Sequence, residues 1–138
     1  MADTSYSYFD HDADIGVTGH GPTLEAAFQS AASGMFAIMA DPAEIKPTQS
    51  VRFEFEEDDV ELALVTWLNN LLSEARSAGL IFSRFQLQRE RNRWSGQAWG
   101  EPWQPGIERG TEVKGATLTM LKVREKDGQW EAGCIVDV

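Results

Sequence analysis

Two short stretches hold the side chains best placed to do chemistry. Near the start, Phe9-Asp10-His11-Asp12-Ala13-Asp14-Ile15-Gly16 gathers three aspartates around one histidine. At the other end, Cys134-Ile135-Val136-Asp137-Val138 sets a single carboxylate in an apolar run. Burying an unpaired carboxylate is expensive, so a lone Asp in an apolar strand calls for a partner. If the two stretches meet in space, their carboxylates can share a hard cation through oxygen ligands. Asp14 and Asp137 are then the ligands, with Val138 adding a main-chain or terminal oxygen. The competing reading makes Asp14 a turn residue and Asp137 a solvated charge at a frayed strand end. His11 suits orienting a turn or standing behind the ligands, because calcium prefers oxygen donors.

Nothing in the chain marks an enzyme, and no catalytic residue is assigned. There is no phosphate-binding glycine loop, no Gly-x-Ser-x-Gly and no Cys/His metal spacing. His11 and His20 are the only histidines, which leaves few bases for a serine or cysteine nucleophile. The single Cys134 cannot form an internal disulfide, which fits a reducing compartment. Its apolar neighbours make it a small core residue. Lys114 lies among small and apolar residues (Val113, Gly115, Ala116), either reaching solvent along its stem or touching a partner.

Net charge is −10, from 12 basic and 22 acidic residues. Such a chain repels phosphate backbones unless its cations gather on one face, so tight direct nucleic-acid binding is not expected. Arg84, Arg89, Arg91 and Arg93 do cluster, but among Gln86, Gln88, Glu90 and Asn92, as on a solvated hairpin. The acidity favours a cation or a basic protein partner. The run from Glu54 to Asp59 reads as a solvated strand end and helix start. Met1-Ala2-Asp3-Thr4-Ser5 shows no leader pattern, and no apolar run approaches the roughly 20 residues of a membrane helix. A cytoplasmic location is expected.

The elements that must position these residues follow from periodicity. Tyr6 to Phe9 and Ile15 to Gly21 predict two short strands joined through the Asp-rich bend. Thr23 caps a helix to about Met39, which Asp41-Pro42 ends, and Lys46-Pro47 keeps the next segment a loop. Val51, Phe53 and Phe55 alternate with charged residues as a half-buried strand. Asp58 or Asp59 opens a second helix that Gly79 stops. Leu80 to Arg89 alternates with one slip in register, Arg93 to Trp99 returns, and Gly100 to Gly110 is the longest loop. Strands over about Glu112 to Arg124 and Gln129 to Asp137 then form a hairpin at Asp127-Gly128. The tryptophans read as core and sheet-face residues, with Trp103, between Pro102 and Pro105, the most exposed. The sum is one compact α+β domain over 1–138, with two helices packed on an antiparallel sheet of about six to seven strands.

Four motifs in order carry a resemblance. His11-Asp12-Ala13-Asp14-Ile15-Gly16 resembles the His-Thr-Ala-Asp-Ile/Val-Gly signature of the archease family. Glu61-Leu62-Ala63-Leu64-Val65-Thr66-Trp67-Leu68-Asn69 is similar to its Leu-Val-Asp-Trp-Leu-Asn helix. Val113-Lys114-Gly115-Ala116-Thr117 resembles its Val-Lys-Ala-Val-Thr strand, and Ile135-Val136-Asp137-Val138 its Asp-Ile/Val end. The departures are Asp12 for Thr, Thr66 for Asp, and Leu118-Thr119 where the family has Tyr-His. Asp12 offers a replacement carboxylate.

The resemblance implies a non-catalytic cofactor that activates a tRNA-splicing RNA ligase, promoting its guanylylation and multiple turnover. It implies a divalent cation, calcium first and manganese second, at Asp14 and Asp137 with Val138; Asp12 is expected to support them, and Lys114 and His11 are expected to meet the partner, unless Lys114 salt-bridges near the acidic site. Two alternatives stand beside it. One is a general chaperone or modulator of tRNA-modifying enzymes, a role also held for this family. The other is a metal-dependent hydrolase with His11 as base.

Overall fold

The computed structural model describes residues 4–138; Met1-Ala2-Asp3, read above for a leader, lie outside the described residues. β1 (Ser5–His11) and β2 (Asp14–Gly21) form a hairpin whose last pair is His11 opposite Asp14. Asp12 turns the corner at φ +53°, a left-handed conformation that Asp tolerates better than most residues. α1 (Leu24–Met39) starts where the Thr23 hydroxyl accepts the Ala26 N–H at 3.0 Å. The segment after it, expected as plain loop, includes a short 3-10 turn over Pro42–Glu44 capped by Asp41. β3 (Gln49–Glu56) alternates as predicted.

α2 (Val60–Ala78) is capped by the Asp59 carboxylate, which accepts from the Glu61 and Leu62 N–H groups. Gly79 closes it at φ +68°. β4 (Leu80–Glu90) carries the predicted slip, a register shift between Phe82 and Arg84. β5 (Arg93–Pro102) follows after a tight turn at Arg91-Asn92.

The continuous strand expected over Glu112 to Arg124 does not form. The chain makes β6 (Gly115–Ala116), breaks, and resumes as β7 (Lys122–Lys126). The cause is a hydroxyl that bonds both to its own turn and to the neighbouring strand. The Thr117 hydroxyl donates to the Ile135 carbonyl at 2.8 Å and accepts the Thr119 N–H at 3.2 Å. Met120 then takes φ +51°, and Thr117 to Leu121 folds as a knuckle. β8 (Gln129–Asp137) returns through Asp127-Gly128, both at positive φ as a two-residue hairpin turn requires.

All strand pairs are antiparallel. One sheet has the order β1-β2-β8-β6, with β7 also pairing β8; the other has the order β3-β5-β4. α1 packs across β2, β8 and β4 and so joins the two sheets, while α2 touches β6 and the three-stranded sheet. The α1 backbone lies directly on β2, since a side chain at Gly19 would meet the Ala27 carbonyl oxygen at 2.2 Å.

A single hydrophobic cluster fills the interior. Trp67 and Trp94 are fully buried in it. The Trp67 indole N–H donates to the Phe28 carbonyl at 2.9 Å, and Phe28 stacks on Trp94 at 5.5 Å. Trp103, like Trp99 and Trp130, is half-buried; it packs on the core and is covered by the Arg109 guanidinium 3.9 Å from its ring. An apolar ring beside prolines still finds cover when a cation can stack on its face. No helix among the described residues is long and apolar enough to cross a membrane.

Candidate functional site

The two stretches meet. β2 pairs β8 through Ile15 opposite Val136, so one further step sets Asp14 beside Asp137. On either side, His11 pairs Asp14 and Gly115 pairs Asp137. His11, Asp14, Asp137 and Gly115 therefore form one row across the end of the five-stranded sheet. Paired residues in antiparallel strands show their side chains on the same face.

Hydrogen bonds tie the row together. The Val138 N–H donates to Asp14 Oδ1 at 3.3 Å, joining residues 124 positions apart. The Lys114 N–H donates to the Asp137 carbonyl at 2.7 Å. Phe9 lies over Gly16, where an added side chain would meet its ring at 2.2 Å, and so braces the hairpin beside His11.

Two further residues set the row's position and were given no role from sequence, although Asn69 closes the helix motif quoted above. Asn69 of α2 donates to the Ala116 carbonyl at 3.1 Å and accepts the Ala116 N–H at 2.9 Å. Seven residues on, Arg76 donates to the Val113 carbonyl at 2.9 Å and the Lys114 carbonyl at 2.7 Å. This pair on one helix face fixes the segment that β8 pairs with. The available signal was an asparagine inside a helix, where its side chain normally competes with the backbone.

The individual side chains differ in setting. Asp14 and Val138 are half-buried and Asp137 is exposed. Asp12 is 93% exposed, 4.0 Å from His11 Nδ1. The Lys114 side chain is exposed although its backbone is held on both sides. Leu118 and Met120, on the knuckle near the row, are 62% and 57% exposed.

The donor chemistry suits a hard cation, because Asp14, Asp137 and the neighbouring main chain offer only oxygen. Among the described residues, no three Asp, Glu, His or Cys side chains gather as a metal cluster. A cation here would take two carboxylates and fill its shell from main-chain oxygen and water.

The remaining sequence candidates have other uses. Arg84 stacks on Trp99 at 4.9 Å and Arg89 on Trp94 at 4.6 Å, while Arg93 lies 4.0 Å from Glu56. Cys134 is buried, and loss of solvation pushes its thiol up to about 11, which keeps it protonated and unreactive. Glu131 on β8 is held below the usual carboxylate range, first by its hydrogen bond with Arg124 at 2.8 Å. A cleft of about 380 Å³ opens between the carboxy-terminal ends of α1 and α2, lined by Phe36, Met39, Leu72, Leu80 and Trp103.

A model of the Archease protein family matches residues 6–138. The protein archease of Sulfolobus acidocaldarius is 35% identical over 138 residues, covering 98% of this chain and 99% of its own. That of Thermococcus kodakarensis is 33% identical, covering 96% and 98%. Among solved structures, protein 1598 of Methanobacterium thermoautotrophicum superposes with a TM-score of 0.87 at 31% identity, over 97% of this chain and 99% of its own. A Thermotoga maritima protein described as an archease and possible chaperone gives 0.64 at 21% identity, over 94% of each chain, a likeness of fold.

Proposed function

This chain belongs to the Archease protein family, and from that premise we propose that it is a non-catalytic accessory protein that activates a tRNA-splicing RNA ligase. The observation that carries the reading is the Val138–Asp14 hydrogen bond, which joins the family's two end motifs in one acidic row. Asp14 and Asp137 would hold a divalent cation, with the Val138 main chain beside them and Asp12 as an outlying carboxylate. Such a cation would supply positive charge that a reacting triphosphate needs. The chain's own part is to hold carboxylates at an exposed sheet end that a cationic partner can receive, which suits a net charge of −10. Lys114 and His11 flank that end and would touch the ligase.

The test is guanylylation and ligation by the host's RNA ligase with and without this protein. Stimulation is expected, lost in Asp14→Ala and strongly reduced in Lys114→Ala, with the latter melting near wild type. An unchanged ligase rate would overturn the reading. Calorimetry with calcium and manganese tests the cation separately, and equal affinity in Asp14→Ala would remove the site. The cleft, apolar at Phe36, Met39, Leu72 and Trp103 but charged at Arg76, Arg109 and Glu112, supports a second reading, a general chaperone or modulator of tRNA-modifying enzymes. That role predicts suppressed aggregation of unrelated clients, insensitive to Asp14→Ala.

A further inference from the structure

Long open sheet edges invite pairing, and proteins blunt them with bulges, lysines, prolines or a cover. The edge of β4 has a bulge between Phe82 and Arg84, and its Leu87 N–H is taken by the Gln29 side chain at 2.9 Å. The edge strand β7 displays Lys122, Arg124 and Lys126. β3, like the edge strand β1, has no bulge, lysine or proline, and its charges, Arg52, Glu54 and Glu56, are of mixed sign; its eight residues, Gln-Ser-Val-Arg-Phe-Glu-Phe-Glu, pair β5 in unbroken register on one side only.

The parity of that edge can be read from the ladder. The Glu57 N–H donates to the Asn92 carbonyl at 2.8 Å, so odd-numbered residues of β3 direct their backbone groups toward β5. Ser50, Arg52, Glu54 and Glu56 direct theirs outward, and among the described residues no other element accepts or donates to them. The same residues place their side chains on the exposed sheet face, while Val51, Phe53 and Phe55 are half-buried on the opposite face.

We propose that β3 is a self-association edge, pairing antiparallel with β3 of a second copy about a two-fold axis at Phe53. The sequence is self-complementary in that register. Arg52 of each copy faces Glu54 of the other, Ser50 faces Glu56, Phe53 faces Phe53 and Val51 faces Phe55. The outward-facing residues meet one another, as a hydrogen-bonded ladder requires. Shifting the axis to Arg52 or Glu54 opposes like charges at the centre, which destabilises a cross-strand pair. The two three-stranded sheets become one of six, closed by an isologous contact. The half-exposed row of Val51, Phe53 and Phe55 is covered as the strands join.

Sedimentation velocity of the full chain over a wide concentration range tests this. Wild type is expected to pass from monomer to dimer. Arg52→Glu and Glu54→Arg, each at an exposed position, are expected to raise the dimer dissociation constant roughly tenfold or more, since both symmetric pairs turn repulsive. The double variant Arg52→Glu/Glu54→Arg restores opposite charges and is expected to dimerise like wild type. A monomer at every concentration overturns the proposal and leaves the edge to a foreign strand. A dimer that ignores either single substitution, or no rescue in the double variant, overturns it as well.

Discussion

Replacing Asn69 with alanine is the sharpest test of how the candidate site is held. The Asn69 amide makes both of its hydrogen bonds to one residue, accepting the Ala116 N–H and donating to the Ala116 carbonyl. Each is worth about 1 kcal/mol net, and a buried group left unpaired costs roughly 1–3 kcal/mol. Ala116 is buried, so its N–H and carbonyl regain water only in part. Alanine's better helix propensity returns about 0.5 kcal/mol. The expected loss is therefore about 2 kcal/mol, or roughly 5–8 °C in melting temperature for a domain of this size. Urea unfolding followed by tryptophan fluorescence measures it, with neighbouring Asn70→Ala as control, expected within about 0.5 kcal/mol of wild type. Hydrogen exchange adds a local readout. The Ala116 amide should lose protection while the Trp67 backbone amide, in the middle of α2, keeps it. Stability of Asn69→Ala equal to the control would mean that the clamp does not hold β6, and the positional argument for the row would fail.

Three other outcomes follow from the same packing. Gly19→Ala should cost more than about 3 kcal/mol, because its new methyl meets α1 backbone, whereas Gly16→Ala need only displace the Phe9 ring and should cost about 1–2 kcal/mol; equal losses in chemical denaturation would refute the distinction. Cys134, with its thiol pushed up to about 11 by burial, should react with a thiol reagent at neutral pH no faster than the protein opens, and rapid labelling of the native state would contradict its placement. Glu131 titrates below the ordinary carboxylate range, so its pairing with Arg124 stabilises the fold above that range and is lost as pH falls through the lowered value. Arg124→Met should therefore flatten the acid limb of the melting curve and leave its slope at neutral pH unchanged.

What could be read from sequence was what rests on one element at a time. Thr23, Asp59 and Gly79 announce helix ends because capping is a local exchange of hydrogen bonds. The slip in β4 shows as a break in alternation because each residue's face is fixed by its neighbours. The break after Ala116 does not show. Thr117-Leu118-Thr119-Met120 alternates as a strand would, and only the carbonyl of Ile135, from a distant element, draws the Thr117 hydroxyl into the knuckle. The same limit hid the roles of Asn69 and Arg76, whose partners lie 47 and 37 residues away.

The meeting of Asp14 with the last residues was inferable for a different reason. Two carboxylates in apolar strands suggested that the strands adjoin, and they do; the Val138 N–H partners the half-buried Asp14, whereas Asp137, at the strand's last residue, is exposed and needs no partner. The fold then handles the row in an unequal way. It uses the backbone of Lys114, Asp137 and Val138, binding the Lys114 N–H to Asp137, the Lys114 carbonyl to Arg76, and the Val138 N–H to Asp14. It leaves the side chains of Lys114 and Asp137 in solvent. A main chain fixed from several sides holds its place whatever those side chains are, so the folding free energy does not ask for a lysine at 114 or a carboxylate at 137. Lys114→Ala and Asp137→Ala should therefore each melt near wild type, within about 0.5 kcal/mol in stability, so any change they cause in ligase stimulation would come from the surface and not from unfolding.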